Sequence, residues 1–464
     1  MSQQLPAALL TSLQAVKGFD ERTFTEVHQS GEQVTSIRLN PNKPVTLNPQ
    51  TLQKVPWSSN GYYLSERPSF TSDPLFHAGA YYVQEASSMF LEEVIKQTCD
   101  LTQTLKVLDL CAAPGGKSTL IQSIISENSL LVSNEIIKTR VNILSENITK
   151  WGAANVVVTN NDPKDFQRLP EYFDVIVVDA PCSGSGLFRK DPEAIDEWSE
   201  NNVTLCSQRQ QRILADILSS LKPGGILIYS TCSYSEAEDE EICDWLLSGI
   251  QYPVSSIRNP ISSIRLQIKA EWNIIETLSS QHNAYGYRFY PDKLKGEGFF
   301  IAAFKKNGEK GDDKKWNGKA KLQFPGKPEI EIVKTYLINT DVLSFFKWQE
   351  EIIAIPATIL NEIPFLQSSL YLKKAGVKIG SIIRNELIPD HEFALSRLMS
   401  DSVPSVDVDM ESALQYLRRQ DIAVDTELKG WVLIKFQNMP LGWIKILPNR
   451  INNYYPKGWR ILNK

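Results

Sequence analysis

Between Asp174 and Pro192 the chain reads D-V-I-V-V-D-A-P-C-S-G-S-G-L-F-R-K-D-P. Asp174 to Val178 has the apolar, β-branched character of a short buried strand, which Asp179, Ala180, Pro181, Cys182 and two glycines then break. An acid and a thiol therefore stand together at a strand's carboxyl end, the edge at which open parallel sheets bind ligands. Taken alone, Cys182 reads as a nucleophile and Asp179 as its partner. A second cysteine, Cys232, follows another strand-like run, I-L-I-Y-S-T, from Ile226 to Thr231. A lone strand-end cysteine is commonly a packed small hydrophobe. Two of them can border one cleft, because paired strands lie about 5 Å apart. Thiols so placed suit methyl transfer to the 5-carbon of a pyrimidine, a poor nucleophile until a sulfur adds at the neighbouring 6-carbon. An acid that protonates or hydrogen-bonds ring nitrogen 3 assists that addition, a role open to Asp179. A base then removes the proton at the 5-carbon and the sulfur leaves.

The elements around these residues alternate strand and helix. Lys106 to Leu110 reads as a first strand, Cys111, Ala112, Ala113, Pro114, Gly115, Gly116 and Lys117 as a glycine-containing turn, and S-T-L-I-Q-S-I-I as the start of a helix. A second strand, Leu130 to Ser133, ends at Asn134 and Glu135 and leads into a helix reaching Trp151; a third, Val156 to Thr159, ends at Asn160, Asn161 and Asp162. After the opening stretch, an amphipathic helix from Val203 to Leu221 meets Pro223-Gly224-Gly225 and the fifth strand. This pattern implies an α/β, Rossmann-like doubly wound sheet.

The glycine turn lacks G-x-G-x-x-G and the Walker spacing, so phosphate binding is the weaker reading. Asp109, Glu135, Asp162 and Asp179 place acids at or near successive strand ends. Any one of them reads equally as a helix cap. Together they fit a nucleoside cofactor without a pyrophosphate, with one carboxylate for ribose hydroxyls, another for an adenine amino group, and an acidic cleft for a cation. S-adenosyl-L-methionine is the cofactor of that description.

The chain has 464 residues and a net charge of -5. Its length suggests two or three domains. We expect an N-terminal α+β adapter over 1–90, a cofactor-binding domain over 91–306, a polar linker over 307–321 and a mainly-β region over 322–464. No apolar run has the ~18 residues of a membrane span, and the N-terminus shows no leader pattern. The six cysteines form no C-x-x-C pair, so neither a metal site nor a disulfide framework is indicated. A cytoplasmic protein with reduced thiols, no membrane attachment and a monomeric state is the expectation. From Lys305 onward there are 24 Lys and Arg against 19 Asp and Glu, while the remainder has 25 against 35. Lys429 to Lys464 holds seven basic and no acidic residues, interleaved with Trp431, Trp443, Tyr454, Tyr455 and Trp459. That asymmetry reads either as contact with a local anionic partner or as a solvated basic face.

V-L-D-L-C-A-A-P-G-G-K-S-T, V-V-D-A-P-C-S-G-S-G, Y-S-T-C-S-Y-S and G-E-G-F-F-I-A follow one another between Val107 and Ala302. In this the chain resembles the Sun/Nop family of RNA cytosine 5-methyltransferases. The basic C-terminal module resembles that of a bacterial branch acting on 16S ribosomal RNA. The N-terminal region is too short and irregular for the helical NusB-like domain of another branch. The resemblance implies that Cys232 attacks the base and that Cys182 helps release the product. It places S-adenosyl-L-methionine against the Cys111 to Lys117 turn, Glu135, Asp162 and Asp179, with Lys190 of F-R-K-D-P as a further active-site contact. It also implies a PUA-like RNA-binding module, carried by the W-V-L-I-K and L-G-W-I-K stretches, and ribosomal RNA within the small ribosomal subunit as partner. Three other readings stay open: a tRNA cytosine 5-methyltransferase, a methyltransferase acting on DNA or protein, and a non-catalytic RNA-binding ribosome-assembly factor. As the resemblance is drawn, DNA enzymes carry the nucleophile in the P-C motif, so the second thiol at Cys232 counts against them.

Overall fold

Short Val-, Leu- and Ile-rich runs, buried on both faces and spaced by amphipathic segments, build a sheet covered by helices. The computed structural model describes residues 4–45, 52–249, 261–308 and 321–462. Its central strands are β1 (Lys106–Asp109), β2 (Leu130–Asn134), β3 (Val156–Thr159), β4 (Phe173–Asp179), β5 (Leu221–Thr231), β6 (Ile261–Ile264), β7 (Ile275–Leu278), β8 (Tyr285–Phe289), β9 (Phe299–Lys306) and β10 (Leu372–Ala375). Among the described residues these form one ten-stranded sheet in the order β7-β8-β9-β5-β4-β1-β2-β3-β10, with β6 also paired to β9.

The strands β1 to β5 pair in parallel, and the remainder join them antiparallel. Winding reverses between β1 and β4. Their last residues, Asp109 and Asp179, therefore flank the switch point where open α/β sheets hold ligands. Alternate residues of each strand feed opposite faces. Leu108, Leu130, Ile176 and Leu227 join one core with Ile213 and Leu214, whereas Val107, Leu131, Val175 and Ile228 join another with Leu120 and Ile148.

The α/β architecture expected from the sequence is present, with several displaced boundaries. The helix expected over Val203 to Leu221 runs Glu200–Ile217, because a short turn, Leu218–Ser220, and then β5 take over its end. Pro223, Gly224 and Gly225 lie inside β5, where a register irregularity opposite Phe173 and Val175 accommodates them. The linker expected over 307–321 falls outside the described residues apart from its ends. One strand from beyond it, β10, returns to pair with β3.

The N-terminal region forms a helix, Ala7–Leu13, and a four-stranded sheet of Leu52–Lys54, Gly61–Leu64, Ser36–Leu39 and Tyr81–Val83. Two further four-stranded sheets follow β9, one containing Leu343–Trp348 and the other Gly430–Phe436 and Met439–Leu447. Ile37 and Tyr81 of the first sheet share a core with Val432 and Ile444 of the last and with Tyr416 of the helix Met410–Leu417. No helix among the described residues is long and apolar enough to cross a membrane.

Arg38 ties the N-terminal sheet to the glycine turn. It is 1% exposed. Its Nε donates to Gln84 at 2.8 Å, Nη2 donates to the Thr119 hydroxyl at 2.6 Å and to the Gly116 carbonyl at 3.3 Å, and its guanidinium lies 4.6 Å from the Trp151 ring centre. Arg38→Ala leaves these buried acceptors unpaired and should cost about 3 kcal/mol. A melting temperature equal to that of the wild type would contradict this.

Candidate active site

The parallel register sets Asp179 of β4 beside Ser230 of β5. Residues two apart on a strand face the same side, so Ser230 and Cys232 project toward one edge. From β4 the chain runs through Ala180 and Pro181 to Cys182. The two sulfurs meet at 3.1 Å, and both cysteines are free and partly exposed. Gly186 allows this closeness: its N–H donates to the Cys232 carbonyl at 2.8 Å, and a Cβ there would sit 2.6 Å from the Gly298 carbonyl oxygen and 2.7 Å from that of Cys232.

Asp179 is held at both oxygens. Oδ1 accepts from the Ser230 hydroxyl at 2.8 Å, and Oδ2 pairs with Lys117 Nζ at 2.7 Å. Burial acts to lower the Lys117 pKa, but Asp179, aided by Asp109 and Cys232, outweighs it and the ammonium is stabilised. Lys117 thus stands within electrostatic reach of Cys232 as well as in the glycine turn. The ring of Phe299 is 5.2 Å away. The Cys182 thiol is pushed well above the usual range, first by its contact with Cys232, then by burial and the negative charge of Glu238.

The acids at the other strand ends are differently engaged. Asp109 is fully buried: Oδ2 accepts from Ser118 Oγ at 2.7 Å, while Oδ1 has no hydrogen-bond partner. Burial raises its pKa to about 7. Glu135, 3% exposed, accepts from the Ile137 N–H at 2.9 Å and lies 3.5 Å from Arg140. Ile136 and Ile137 beside it are about half exposed. Asp162 caps the short helix Pro163–Arg168 through the Lys164 N–H at 3.1 Å.

The turn supplies Gly115 at φ 118°, a conformation glycine adopts freely, at the start of α1 (Gly116–Ile124). Within it, the carbonyl of Ala113 accepts from Arg140 at 2.7 Å and that of Pro114 from Asn147 at 2.8 Å. Burial and the neighbouring carboxylates raise the Cys111 thiol. Ala112 and Ala113 pack into the core.

The structure therefore brings together Cys182, Cys232, Asp179 and Lys117, and ranges Asp109, Glu135 and Asp162 along the same sheet edge. Lys190 stands apart. It is exposed and within electrostatic reach of Glu297, and among the described residues it forms no ion pair with Asp179 or hydrogen bond with either thiol. Two residues escape the sequence reading. Ser230 was detectable from its spacing of two before Cys232. Glu238 was hidden in the acidic run S-E-A-E-D-E-E, yet it is fully buried.

The residues along this sheet edge fit S-adenosyl-L-methionine in their chemistry. A buried acceptor on Asp109 awaits a partner, and exposed isoleucines follow the ribose-type acid Glu135. Gly116-Lys117-Ser118 lacks the glycine five residues earlier that a Walker phosphate loop carries.

Asp109 has a pH signature. An acid whose folded pKa is raised binds more protons folded than unfolded, so its contribution to stability is lost as pH rises. The window runs from the ordinary value near 4 to about 7. Asp109→Asn should thus gain in melting temperature relative to the wild type between pH 4 and pH 8. A difference constant across that range would contradict the assignment.

Comparison with known proteins places this site. Residues 97–305 match the family model of 16S rRNA methyltransferase RsmB/F, residues 5–86 that of the N-terminal domain of 16S rRNA methyltransferase RsmF, and residues 403–461 that of the methyltransferase RsmF PUA domain. The chain is 30% identical over 88% of its length to the ribosomal RNA small subunit methyltransferase F of Aliivibrio salmonicida, covering 85% of that protein. A methyltransferase homolog from Pyrococcus horikoshii superposes with a TM-score of 0.50 at 27% identity, over 65% of this chain and 100% of that one. NSun6 from Pyrococcus horikoshii, solved with SFG, gives a TM-score of 0.52 at 18% identity over 66% and 99%, a likeness of fold. With the paired thiols, the strand-end acids and the match extending through all three segments, the chain belongs to the RsmF family of S-adenosylmethionine-dependent ribosomal RNA methyltransferases.

Proposed function

We propose that this enzyme forms 5-methylcytosine in the 16S RNA of the small ribosomal subunit, in the cytoplasm, through a covalent cysteine–pyrimidine adduct. The observation that carries this reading is the 3.1 Å contact between Cys182 and Cys232 beside the Asp179–Lys117 pair. A methyl transfer to oxygen or to an exocyclic nitrogen needs no sulfur nucleophile, whereas the 5-carbon does.

The Cys232 thiolate adds to carbon 6 of the cytosine. As the ring accepts electrons, Asp179 takes a hydrogen bond from the 4-amino group and Lys117 provides, through that carboxylate, the proton that reaches nitrogen 3. The turn from Cys111 to Lys117, with Asp109, Glu135 and Asp162, would hold S-adenosyl-L-methionine, whose sulfonium would give up its methyl group to carbon 5 and remain as the thioether. Carbon 5 then bears both methyl and hydrogen. A base removes that proton, the double bond between carbons 5 and 6 re-forms, the bond from carbon 6 to sulfur breaks, and the proton on nitrogen 3 returns through Asp179 to Lys117. The Cys182 thiol, kept protonated by its surroundings, donates its hydrogen bond to the departing Cys232 thiolate. On this reading Lys190 is an approach-surface residue, and Lys117 carries the proton role at the base.

RNA docking falls to the last sheet and its basic residues. Gly430–Phe436 and Met439–Leu447 are built into the core shared with the N-terminal sheet, so charge substitution tests them better than truncation. Lys429, Arg450, Lys457 and Arg460 are exposed. Replacing all four with Gln should weaken binding to 16S RNA and flatten its salt dependence by about 0.7 in log–log slope for each phosphate no longer neutralised. An unchanged slope would remove this face from the interface.

Reconstituting a cell lacking the protein with wild type or variants, followed by bisulfite mapping of its RNA, tests the function. The expected result is one or more 16S cytosines whose 5-methylation returns with wild type and not with Cys232→Ala, while Cys182→Ala accumulates an RNA adduct stable on denaturing gels. Methylation found only in tRNA, or full restoration by Cys232→Ala, would overturn the reading.

A further inference from the structure

Glu238 lies in the short turn Glu236–Glu238 after β5 and is 0% exposed. A buried carboxylate is costly unless its oxygens are satisfied, and here every donor comes from the two thiol loops or from the helix behind them. Oε1 accepts from the Ser183 N–H at 2.8 Å and from the Gln210 amide at 3.1 Å; Oε2 accepts from the Ser183 hydroxyl at 2.5 Å and the Ser233 hydroxyl at 2.7 Å. Ser183 directly follows Cys182, and Ser233 directly follows Cys232. The Gln210 amide also donates to the Pro181 carbonyl at 3.1 Å, so the carboxylate and its helper grip the Cys182 loop on both sides of the sulfur. Tyr229 Oη fixes the turn itself by donating to the Glu238 carbonyl at 2.6 Å.

The two loops do not depend equally on this carboxylate. Cys232 follows directly on β5, whose Thr231 hydroxyl is anchored to Asp239 at 2.6 Å and pairs with Phe300, and its own carbonyl receives Gly186. Cys182 lies in a loop outside any strand, and the short hydrogen bonds of its neighbour Ser183 run to Glu238. Removing the carboxylate therefore loosens the Cys182 loop while Cys232 stays anchored at the end of β5.

We propose that Glu238 is a positioning residue that sets the contact between the two sulfurs and thereby governs release of methylated RNA rather than attack on the base. The inference rests on the covalent mechanism proposed above. In it, departure of Cys232 from carbon 6 needs the Cys182 S–H at hydrogen-bond distance, whereas attack by Cys232 does not.

The test uses the full-length enzyme with 16S RNA and S-adenosylmethionine and compares wild type, Cys182→Ala, Glu238→Ala and Glu238→Gln. Single-turnover methyl transfer measures attack, multiple-turnover rate and adduct on denaturing gels measure release, and thermal melting measures folding. A misplacement on the order of 1 Å can cost about 100-fold. We expect Glu238→Ala to release product about 100-fold more slowly and to accumulate adduct, with single-turnover transfer within about 3-fold of wild type. Glu238→Gln, which keeps the shape but turns an acceptor toward two hydroxyls into a donor, should fall between the two and carries the test if Glu238→Ala does not fold. Adduct in Cys182→Ala with wild-type release in Glu238→Gln and in any folded Glu238→Ala would overturn this inference alone. So would parallel loss of attack and release in Glu238→Gln, the mark of a merely structural role. Absence of adduct in Cys182→Ala would instead remove the mechanism beneath it.

Discussion

Two sulfurs at 3.1 Å, each on a loop leaving a neighbouring parallel strand, impose the constraint that organises this molecule. Thiols packed so closely have one proton's worth of hydrogen bond between them, and burial disfavours ionising both. The environment resolves that competition unequally. Cys182 faces the negative charge of Glu238 and is held as a thiol, while Cys232 shares its surroundings with the Lys117 ammonium. On the mechanism proposed above, the first is the group that donates and the second the group that attacks. Closeness itself requires Gly186, since any side chain there would strike the Cys232 carbonyl.

The same strand ends that place the sulfurs place the charges. The reversal of winding between β1 and β4 puts Asp109 and Asp179 on either side of one crevice, and Lys117 reaches from the glycine turn across it to Asp179. A single lysine thereby links the glycine turn to the strand end that carries Asp179. The N-terminal sheet is part of this arrangement rather than an appendage: Arg38 is bonded to the first turn of the helix that begins with Gly116. The last sheet shares a core with that first sheet, so the basic C-terminal face is carried on the support that holds the glycine turn.

Much of this was legible in the letters. The strands that lead to Asp109, Glu135, Asp162, Asp179 and Cys232 are short apolar runs with sharp punctuation, and their alternation with helices implies a doubly wound sheet. Elsewhere the signals failed for physical reasons. Strands β6, β7 and β8 mix polar with apolar residues and lack the continuous apolar run that marks β1 to β3. β10 is recruited by an edge far away in sequence, a pairing that no local pattern encodes. Glu238, Asp239 and Glu240 look like a solvated acidic run, yet all are buried, with Arg288 paired to the last two at 3.2 Å or less and hydroxyls and amides satisfying the first. Lys117 read as part of the cofactor turn because nothing in its neighbours reveals the Asp179 carboxylate across the crevice. Lys190, drawn in by its motif, makes no hydrogen bond or ion pair with that cluster among the described residues.

The most direct measurement is to trap the adduct and find which cysteine carries it. A 16S RNA substituted with 5-fluorocytidine has no proton to lose at carbon 5, so wild-type enzyme should stop after methyl transfer with sulfur still bonded to carbon 6. Digestion and mass spectrometry of the complex should then show the nucleotide on the peptide containing Cys232, with Cys182 unmodified. A nucleotide attached to Cys182 would contradict the division of labour between the two sulfurs.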